Sequence, residues 1–392
     1  MNANILDFGT EKIIAKIGKR GLNDSIIIVG SGESDYAGFC NGEFLEPFKL
    51  PEAVAKAIKN AEYSARSSIE HIVVGVPGEF TTCICKDVQT SLTKKRKVLT
   101  EDIDLLHEEG DKFKDIAGYT LINSQPIYYT LDDGVRLIDP IGLESSKLGG
   151  HISYVLAENR FLEAVKGILK QMGITSVEFV SNLVAESMFL FDDVMRDRFV
   201  VFFDCGHLTT TIAVTRGDGV LAQYNVALGG GHITEALSHG LDISLKHAEA
   251  LKRKITLNLN VGDDDVYSIH STDSSRADII NFNAKRVNEI VAAFIKLIAQ
   301  TITKSLKLCT YDYPDYIPYH LTGGGLAYIK GAPELLSKHL KRPIEVVAPN
   351  LPLLENHPCS SSSYALLDTA LRIMPQPQEK PIGFFRRLFR RK

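Results

Sequence analysis

A chain of 392 residues exceeds what one hydrophobic core usually fills, so two domains or two lobes are expected. Composition is 44% hydrophobic and 23% charged without tryptophan, the balance of a globular protein, and the formal net charge is −4. Taking away the five positive charges of residues 386–392 leaves −9 for residues 1–385, and an acidic body with a basic end argues against nucleic acid as the partner.

No run of about 18 uncharged apolar residues occurs, so no transmembrane helix is expected. The opening MNANILDFGTEK lacks a secretory pattern. Cysteines stand at 40, 83, 85, 205, 309 and 359, without paired CxxC or zinc-ligand spacing. They read as small buried apolar residues in a reducing cytoplasm.

The chain opens with a short apolar run, Ile5-Leu6, broken at Asp7-Phe8-Gly9-Thr10 and resumed at Ile13, Ile14 and Ile17. That is a β-hairpin with the motif in its turn. A buried strand follows at 26–29, then a helix with Val54, Ala57, Ile58 and Ala61 on one face and Pro51 in its first turn. HIVVGV is another buried strand, ended by Pro77-Gly78. From Thr82 to Ala157 the pattern changes to an α+β subdomain, with an edge strand at TTCICKDVQTS, a helix capped by Thr100, and two or three further strands. KKRK at 94–97 reads as an exposed loop. An amphipathic helix ending at Gly173 leads to a strand and a second helix.

Near Arg198 the opening repeats itself. VVFFDCGHLTTTIAVTRG has the same order as NILDFGTEKIIAKIG: buried strand, Asp-x-Gly turn with threonine, second strand. Two lobes that begin alike imply an internal duplication. Later come a long amphipathic helix with Val287, Val291, Ile295, Ile298 and Ile302 on one face, then a strand, glycine turn and helix in YHLTGGGLAYIKGAPELL, and a last helix in SSSSYALLDTALRIM.

Glycine and threonine turns expose backbone amides and hydroxyls that suit phosphate oxygens. An aspartate beside such a turn holds Mg²⁺ through water and so reaches the phosphates indirectly. Asp7, Gly9 and Thr10 form one candidate turn; Asp204, Gly206, Thr209 and Thr210 form the second. Gly323, Gly324 and Gly325 follow an apolar strand, open a helix and allow close approach of a nucleotide. Asp7 and Asp204 are the metal candidates.

These three turns in this order resemble the actin/Hsp70/sugar-kinase superfamily. More narrowly, DFGTEKI at 7–13, the insertion near 82–157, GGGHITEAL at 229–237 and LTGGGLAYIKGAPELL at 321–336 are similar to the FtsA family of bacterial actin homologues. The resemblance covers essentially the whole chain and implies an α/β, two-lobed actin-like ATPase fold with an inserted α+β subdomain in the first lobe. It divides the chain into a first lobe core (1–81 and 158–197), the inserted subdomain (82–157), a second lobe core (198–228 and 311–374) and a second-lobe subdomain (229–310). A linker (375–381) and an amphipathic helix (382–392) complete it.

The resemblance also implies ATP and Mg²⁺ as cofactors, and as partners the tail of the tubulin-like protein FtsZ, docking near 230–310, and the chain itself in a protofilament. Glu249 and Lys252, three apart on one helical face, fall by family position near adenosine; a solvated ion pair is the alternative. Glu186 falls where the first lobe's helix faces the cleft, as an orienter of water or as a surface or capping residue. The second phosphate loop departs from the family's D-[IVL]-G-G-G-T-T-D: His207 and Leu208 replace glycines and Thr211 replaces the final aspartate. This predicts nucleotide binding with at most weak hydrolysis.

The chain closes with PIGFFRRLFRRK. At 100° per residue, Phe384, Phe385, Leu388 and Phe389 fill one arc and Arg386, Arg387, Arg390 and Arg391 the other. Such a helix folds on an anionic membrane, binds weakly alone and strongly in many copies. Together with the resemblance to FtsA, it implies a place on the cytoplasmic face of the membrane at the division site. Two rival readings are a pilus-assembly actin homologue of the PilM type and a small-molecule kinase or phosphatase, which would need a substrate base in the cleft.

Overall fold

The structure, a computed structural model, describes residues 2–112, 116–270, 279–351 and 356–373. The linker and the terminal helix expected at 375–381 and 382–392 lie outside the described residues.

The first lobe is built on the opening hairpin. In β1 (Ala3–Phe8) every residue is buried, and β2 (Lys12–Arg20) buries Ile13, Ala15 and Ile17. The two pair antiparallel with Phe8 opposite Ile13, which leaves Gly9-Thr10-Glu11 as the turn. Strand β3 (Ile26–Asp35) adds antiparallel to β2. A short ribbon of β4 (Phe39–Cys40) and β5 (Glu43–Phe44) precedes α1 (Leu50–Ala65). Ala53, Val54, Ala57, Ile58 and Ala61 of α1 face the sheet. The helix sits directly on the strand backbone at Gly32, where a Cβ would strike the Ala57 carbonyl. Strand β6 (His71–Val76) lies parallel to β1.

The inserted subdomain is a four-stranded sheet with one helix. It comprises β7 (Thr81–Lys97), α2 (Thr100–Gly110), β8 (Tyr119–Thr130), β9 (Arg136–Leu137) and β10 (Glu144–Glu158), in the order β7-β10-β8-β9. Its core joins Leu92, Val98, Leu106, Leu148, Ile152 and Tyr154. Two local expectations change here. Residues 94–97 are the end of the long edge strand β7, held by pairing of Arg96 and Lys97 with β10, and not a loop. The cap of α2 is Leu99, whose N–H donates to the Asp102 carboxylate at 2.8 Å while Arg96 grips the same carboxylate at 2.6 and 2.7 Å. Thr100 is already helical.

The chain returns to the first sheet through α3 (Asn159–Gln171) and β11 (Ser176–Ser181), parallel to β6. Gly173, at φ +83°, ends α3. Helices α4 (Asn182–Leu190) and α5 (Asp193–Arg196) follow.

The second lobe repeats the first strand for strand. Its sheet is β14-β13-β12-β17-β18, built from β12 (Val200–Cys205), β13 (Thr210–Arg216), β14 (Gly219–Val226), β17 (Tyr319–Thr322) and β18 (Ile344–Val346). Written as β3-β2-β1-β6-β11, the first sheet has the same pairing: two antiparallel contacts, then two parallel ones. The duplication expected from the two Asp-x-Gly hairpins is therefore present in the topology. Around the second sheet pack α6 (Gly230–Leu241), α7 (Leu245–Lys252), the hairpin β15 (Val266–His270) and β16 (Ile279–Asn283), and α8 (Ala284–Leu306). Val287, Val291, Ile295, Ile298 and Ile302 form the buried stripe of α8. Helix α9 (Ala332–Leu340) precedes β18.

The last helix, α10 (Ser361–Ile373), differs from the sequence division, which kept 311–374 within the second lobe. Its Leu366, Leu367, Ala370, Leu371 and Ile373 pack with Ala3, Ile5, Val73, Val180 and Ala185, on the back of the first sheet. Periodicity shows that a helix has a buried face; it does not show which sheet that face covers. Other ties also join the lobes. Buried Arg196 bonds Asp218 at 3.2 Å and the Met188 and Phe191 carbonyls at 3.1 and 2.8 Å. Asn225 and Gln223 of β14 donate to the Gly78 and Thr81 carbonyls at 2.9 and 2.7 Å. No helix among the described residues is long and apolar enough to cross a membrane.

Candidate functional site

A cleft of about 570 Å³ opens where the two Asp-x-Gly hairpins meet. The hairpin turns have one geometry. Gly9 N–H donates to the Lys12 carbonyl at 2.9 Å, and Gly206 N–H to the Thr209 carbonyl at 2.8 Å. They face each other closely: the Leu208 N–H donates to Thr10 Oγ1 across the cleft at 3.0 Å.

Three carboxylates converge at the base of the cleft. Asp7, at the end of β1, accepts from Asn182 Nδ2 at 3.0 Å and Ser362 Oγ at 2.9 Å. Burial pushes its carboxyl above the ordinary aspartate range, against these two hydrogen bonds and the nearby Lys16 ammonium. Asp204, at the corresponding place in β12, is pushed up to about 6, first by burial and then by the charge of Asp7. Glu186 of α4 is only 2% exposed, and its Oε1 has no hydrogen-bond partner. Burial first, then Asp204 and Asp7, raise it well above the usual carboxylate range. It is therefore neither a surface nor a capping residue; Ser181 caps α4.

A cluster of buried acids with an orphaned oxygen fits a divalent cation. Among the described residues no three acidic, histidine or cysteine side chains stand close enough to chelate one directly. The role expected of Asp7 and Asp204 is an indirect one, through water, and both carboxylates line the cleft.

On the second-lobe side, Lys252 is 3% exposed. Its Nζ meets Glu249 Oε2 at 2.6 Å, Thr234 Oγ1 at 2.8 Å and the Gly230 carbonyl at 2.9 Å. Burial pushes the Glu249 carboxyl up, but Lys252, Thr234 and Arg253 outweigh it, so it titrates below its ordinary range. Of the two expectations for this pair, the solvated one does not hold: the pair braces the first turn of α6 and lines the cleft.

Gly323, at φ +89°, and Gly325 press against the second hairpin. A Cβ at Gly323 would meet Asp204, and one at Gly325 would meet the Gly206 carbonyl, so both positions need glycine. Gly324 lines the cleft beside Cys359. One expectation is corrected. The glycine turn does not open a helix, because α9 begins at Ala332 after a run of turns. Helix α6 starts at the cleft, at Gly230, and so does α4, at Asn182.

The cleft thus gathers Asp7, Gly9, Thr10, Glu186, Asp204, Gly206, Thr209, Glu249, Lys252 and the three glycines. Thr210 stands apart, fully buried, its hydroxyl donated to the Leu228 carbonyl at 2.6 Å. The sequence reading missed Asn182 and Ser362. Ser362 stands in the first turn of α10, and nothing local shows that it reaches Asp7, 355 positions away. The membrane residues Phe384 to Arg391 lie outside the described residues.

A family model described as cell division protein FtsA matches residues 201–367. The chain is 24% identical over 249 residues to cell division protein FtsA of Neisseria meningitidis, covering 64% of this chain and 60% of that one. Against the FtsA of Bacillus subtilis identity is 22% over 350 residues, 88% and 78% of the two chains. Against that of Rhizobium meliloti it is 24% over 396 residues, 93% and 86%. Among solved structures, the PilM–PilN type IV pilus biogenesis complex aligns at a TM-score of 0.60 with 17% identity, over 95% of this chain and 99% of that one. MreB 5 of Spiroplasma citri bound to AMPPNP aligns at 0.51 with 11% identity, over 93% and 94%. At these identities the structures establish the actin-like fold alone.

Proposed function

We propose that this chain, a divergent FtsA-like protein of actin-like fold, is a nucleotide-dependent adaptor of cell division that self-assembles and ties an FtsZ polymer to the cytoplasmic membrane through its terminal basic helix. The observation that carries the nucleotide part is the meeting of the two hairpin turns, the glycine turn and three buried carboxylates in one cleft. Asp7 and Asp204 would hold a hydrated Mg²⁺ that neutralises a polyphosphate. The turns at Gly9-Thr10 and Gly206-Thr209 would face its phosphates, and Glu249 and Lys252 would shape the nucleoside side. The bound Mg²⁺ would supply charge compensation to phosphates entering an acidic cleft.

Glu186 would take up a water hydrogen bond in the cleft. Turnover would be weak at most, because His207 and Leu208 stand in the second loop in place of glycines. Membrane attachment rests on the sequence of residues 382–392. Docking of FtsZ on the second lobe near 230–310 and assembly into a protofilament rest on the resemblance to FtsA. The PilM type shares the fold, but the basic aromatic ending favours a membrane adaptor.

The nucleotide reading is tested by isothermal titration of the full chain with adenine nucleotides, with Mg²⁺ and with EDTA. Saturable binding that weakens on removal of Mg²⁺ is expected. Heat release indistinguishable from buffer for both ADP and ATP would remove the nucleotide from the account.

A further inference from the structure

By sequence the inserted subdomain belongs to the first lobe, yet one face of its sheet rests on the second. Helix α2 covers the opposite face, where His107 meets Ser124 of β8 at 2.6 Å. Gln125, the next residue, points the other way. In register it lies beside Ser153 of β10, and Ser153 beside Cys85 of β7, so the three form one row across the sheet. That row is seated on β14: Ser153 Oγ donates to the Val220 carbonyl at 2.6 Å and Cys85 Sγ to the same carbonyl at 3.3 Å. A Cβ on Gly219 would stand 2.8 Å from the Ser153 Cβ. Beyond it the Asp218 N–H donates to the Pro126 carbonyl at 3.0 Å.

The same strand reaches the cleft. Gln223 Nε2 donates to the Thr81 carbonyl at 2.7 Å and to the Gly78 carbonyl at 3.2 Å, and Asn225 Nδ2 donates to the Gly78 carbonyl at 2.9 Å. Asn225 Oδ1 in turn accepts from Thr211 Oγ1 at 3.0 Å. Gly78 and Thr211 both line the cleft. One seam therefore runs along β14 from the far end of the second sheet to the cleft wall, and the lobes cannot swing apart there without undoing it. The seam also holds a contrary element. Gln125 is fully buried, and among the described residues neither atom of its amide has a hydrogen-bond partner. A buried amide left unpaired costs free energy, which water restores once the seam parts.

Resting on the nucleotide reading above, we infer that the inserted subdomain is a latch across the lobes, and that its seat on β14 sets how fast a nucleotide leaves the cleft. Gln223 and Asn225 are positioning residues that hold the latch shut. Gln125 weakens it and so keeps it able to open. A nucleotide enclosed between the lobes escapes when they part. The bonds to Gly78 and Thr81 therefore slow its release, and the orphaned amide speeds it.

The test compares the full chain as wild type, Gln223→Ala and Gln125→Met. Hydrogen exchange without nucleotide reads the seam at residues 78–86 and 218–226, and stopped-flow release of fluorescently labelled Mg²⁺-ADP reads the cleft. Gln223→Ala is expected to quicken exchange in both segments and to speed release about tenfold. Gln125→Met keeps the length of the side chain without its amide, and should slow both by about threefold. A general loss of stability would instead quicken exchange in α8 as well. Seam exchange unchanged by Gln223→Ala, or quickened by Gln125→Met, overturns the latch. Seam exchange that shifts as expected while release keeps the wild-type rate overturns its control of the nucleotide. Absence of labelled ADP binding in wild type removes the nucleotide reading and that control together, and seam exchange alone then upholds or overturns the latch.

Discussion

Ending the chain at Pro381 is expected to abolish co-sedimentation with anionic lipid vesicles, while the full chain pellets with them. The lost segment carries three phenylalanines, one leucine, four arginines and a lysine. Each basic residue near an anionic surface contributes about 1 kcal/mol, and burial of each large apolar side chain adds about 1.5–3 kcal/mol before the cost of ordering the helix. The net loss should be at least on the order of a hundredfold in partition. The rest of the chain offers no replacement: residues 1–385 carry −9, which an anionic surface repels, and no described helix can span a bilayer. Raising salt should weaken binding of the full chain without abolishing it, because the phenylalanine contribution is not screened. Neutral vesicles should retain less than anionic ones. Unchanged pelleting of the truncated chain would sink the anchor.

Asp204→Asn should have the second largest effect, in two opposite directions. In the folded chain the Asp204 carboxyl titrates near 6, against an ordinary value of 3.8, through burial and then Asp7. A group raised in the folded state contributes stability that is fully present below its unfolded pKa and lost as pH rises through its folded pKa. Without ligand, this group's contribution is therefore present below about pH 4 and lost through about pH 6. Asparagine has the same shape and no charge, so the variant avoids that loss. Its melting temperature without nucleotide at pH 7.5 should exceed wild type by roughly 2–5 °C, with little difference near pH 4. The cost falls on the ligand. The Mg²⁺-dependent part of nucleotide affinity should drop on the order of tenfold or more, as for loss of an outer-shell metal partner. Differential scanning fluorimetry across pH, with and without Mg²⁺-nucleotide, reads both. A variant destabilised at pH 7.5, or one stabilised by Mg²⁺-nucleotide as much as wild type, would show that Asp204 is not a strained carboxylate waiting for a cation.

Much of this was legible in the sequence because it is local. The Asp-x-Gly turns announce themselves twice, each after a buried strand, and the two sheets then assemble with the same pairing pattern. Gly323 and Gly325 are expected from sequence to admit a nucleotide, and what the structure brings against them is Asp204 and the backbone at Gly206. What stayed hidden depends on contacts between distant segments. Ser362 and Asn182 both reach Asp7, from two helices that share no pattern with it. For Glu186 the sequence leaves a cleft and a surface or capping place both open, because helical periodicity in a short apolar helix does not separate solvent from an interlobe cleft; its burial decides between them. Helix α10 looked like part of the second lobe because it follows it in sequence, yet it closes the first sheet. Thr210 matched the loop motif, but as the first residue of β13 it turns its hydroxyl to Leu228 and away from the cleft.

The adaptor account joins three parties: nucleotide, membrane and an FtsZ polymer. Its most direct test is vesicle recruitment of fluorescent FtsZ by the full chain in the presence of Mg²⁺ and nucleotide, with the chain ending at Pro381 run alongside. The account predicts that FtsZ reaches the vesicles only with the full chain present, and that the truncated chain leaves it in solution. FtsZ remaining in solution with the full chain bound to the vesicles would contradict it.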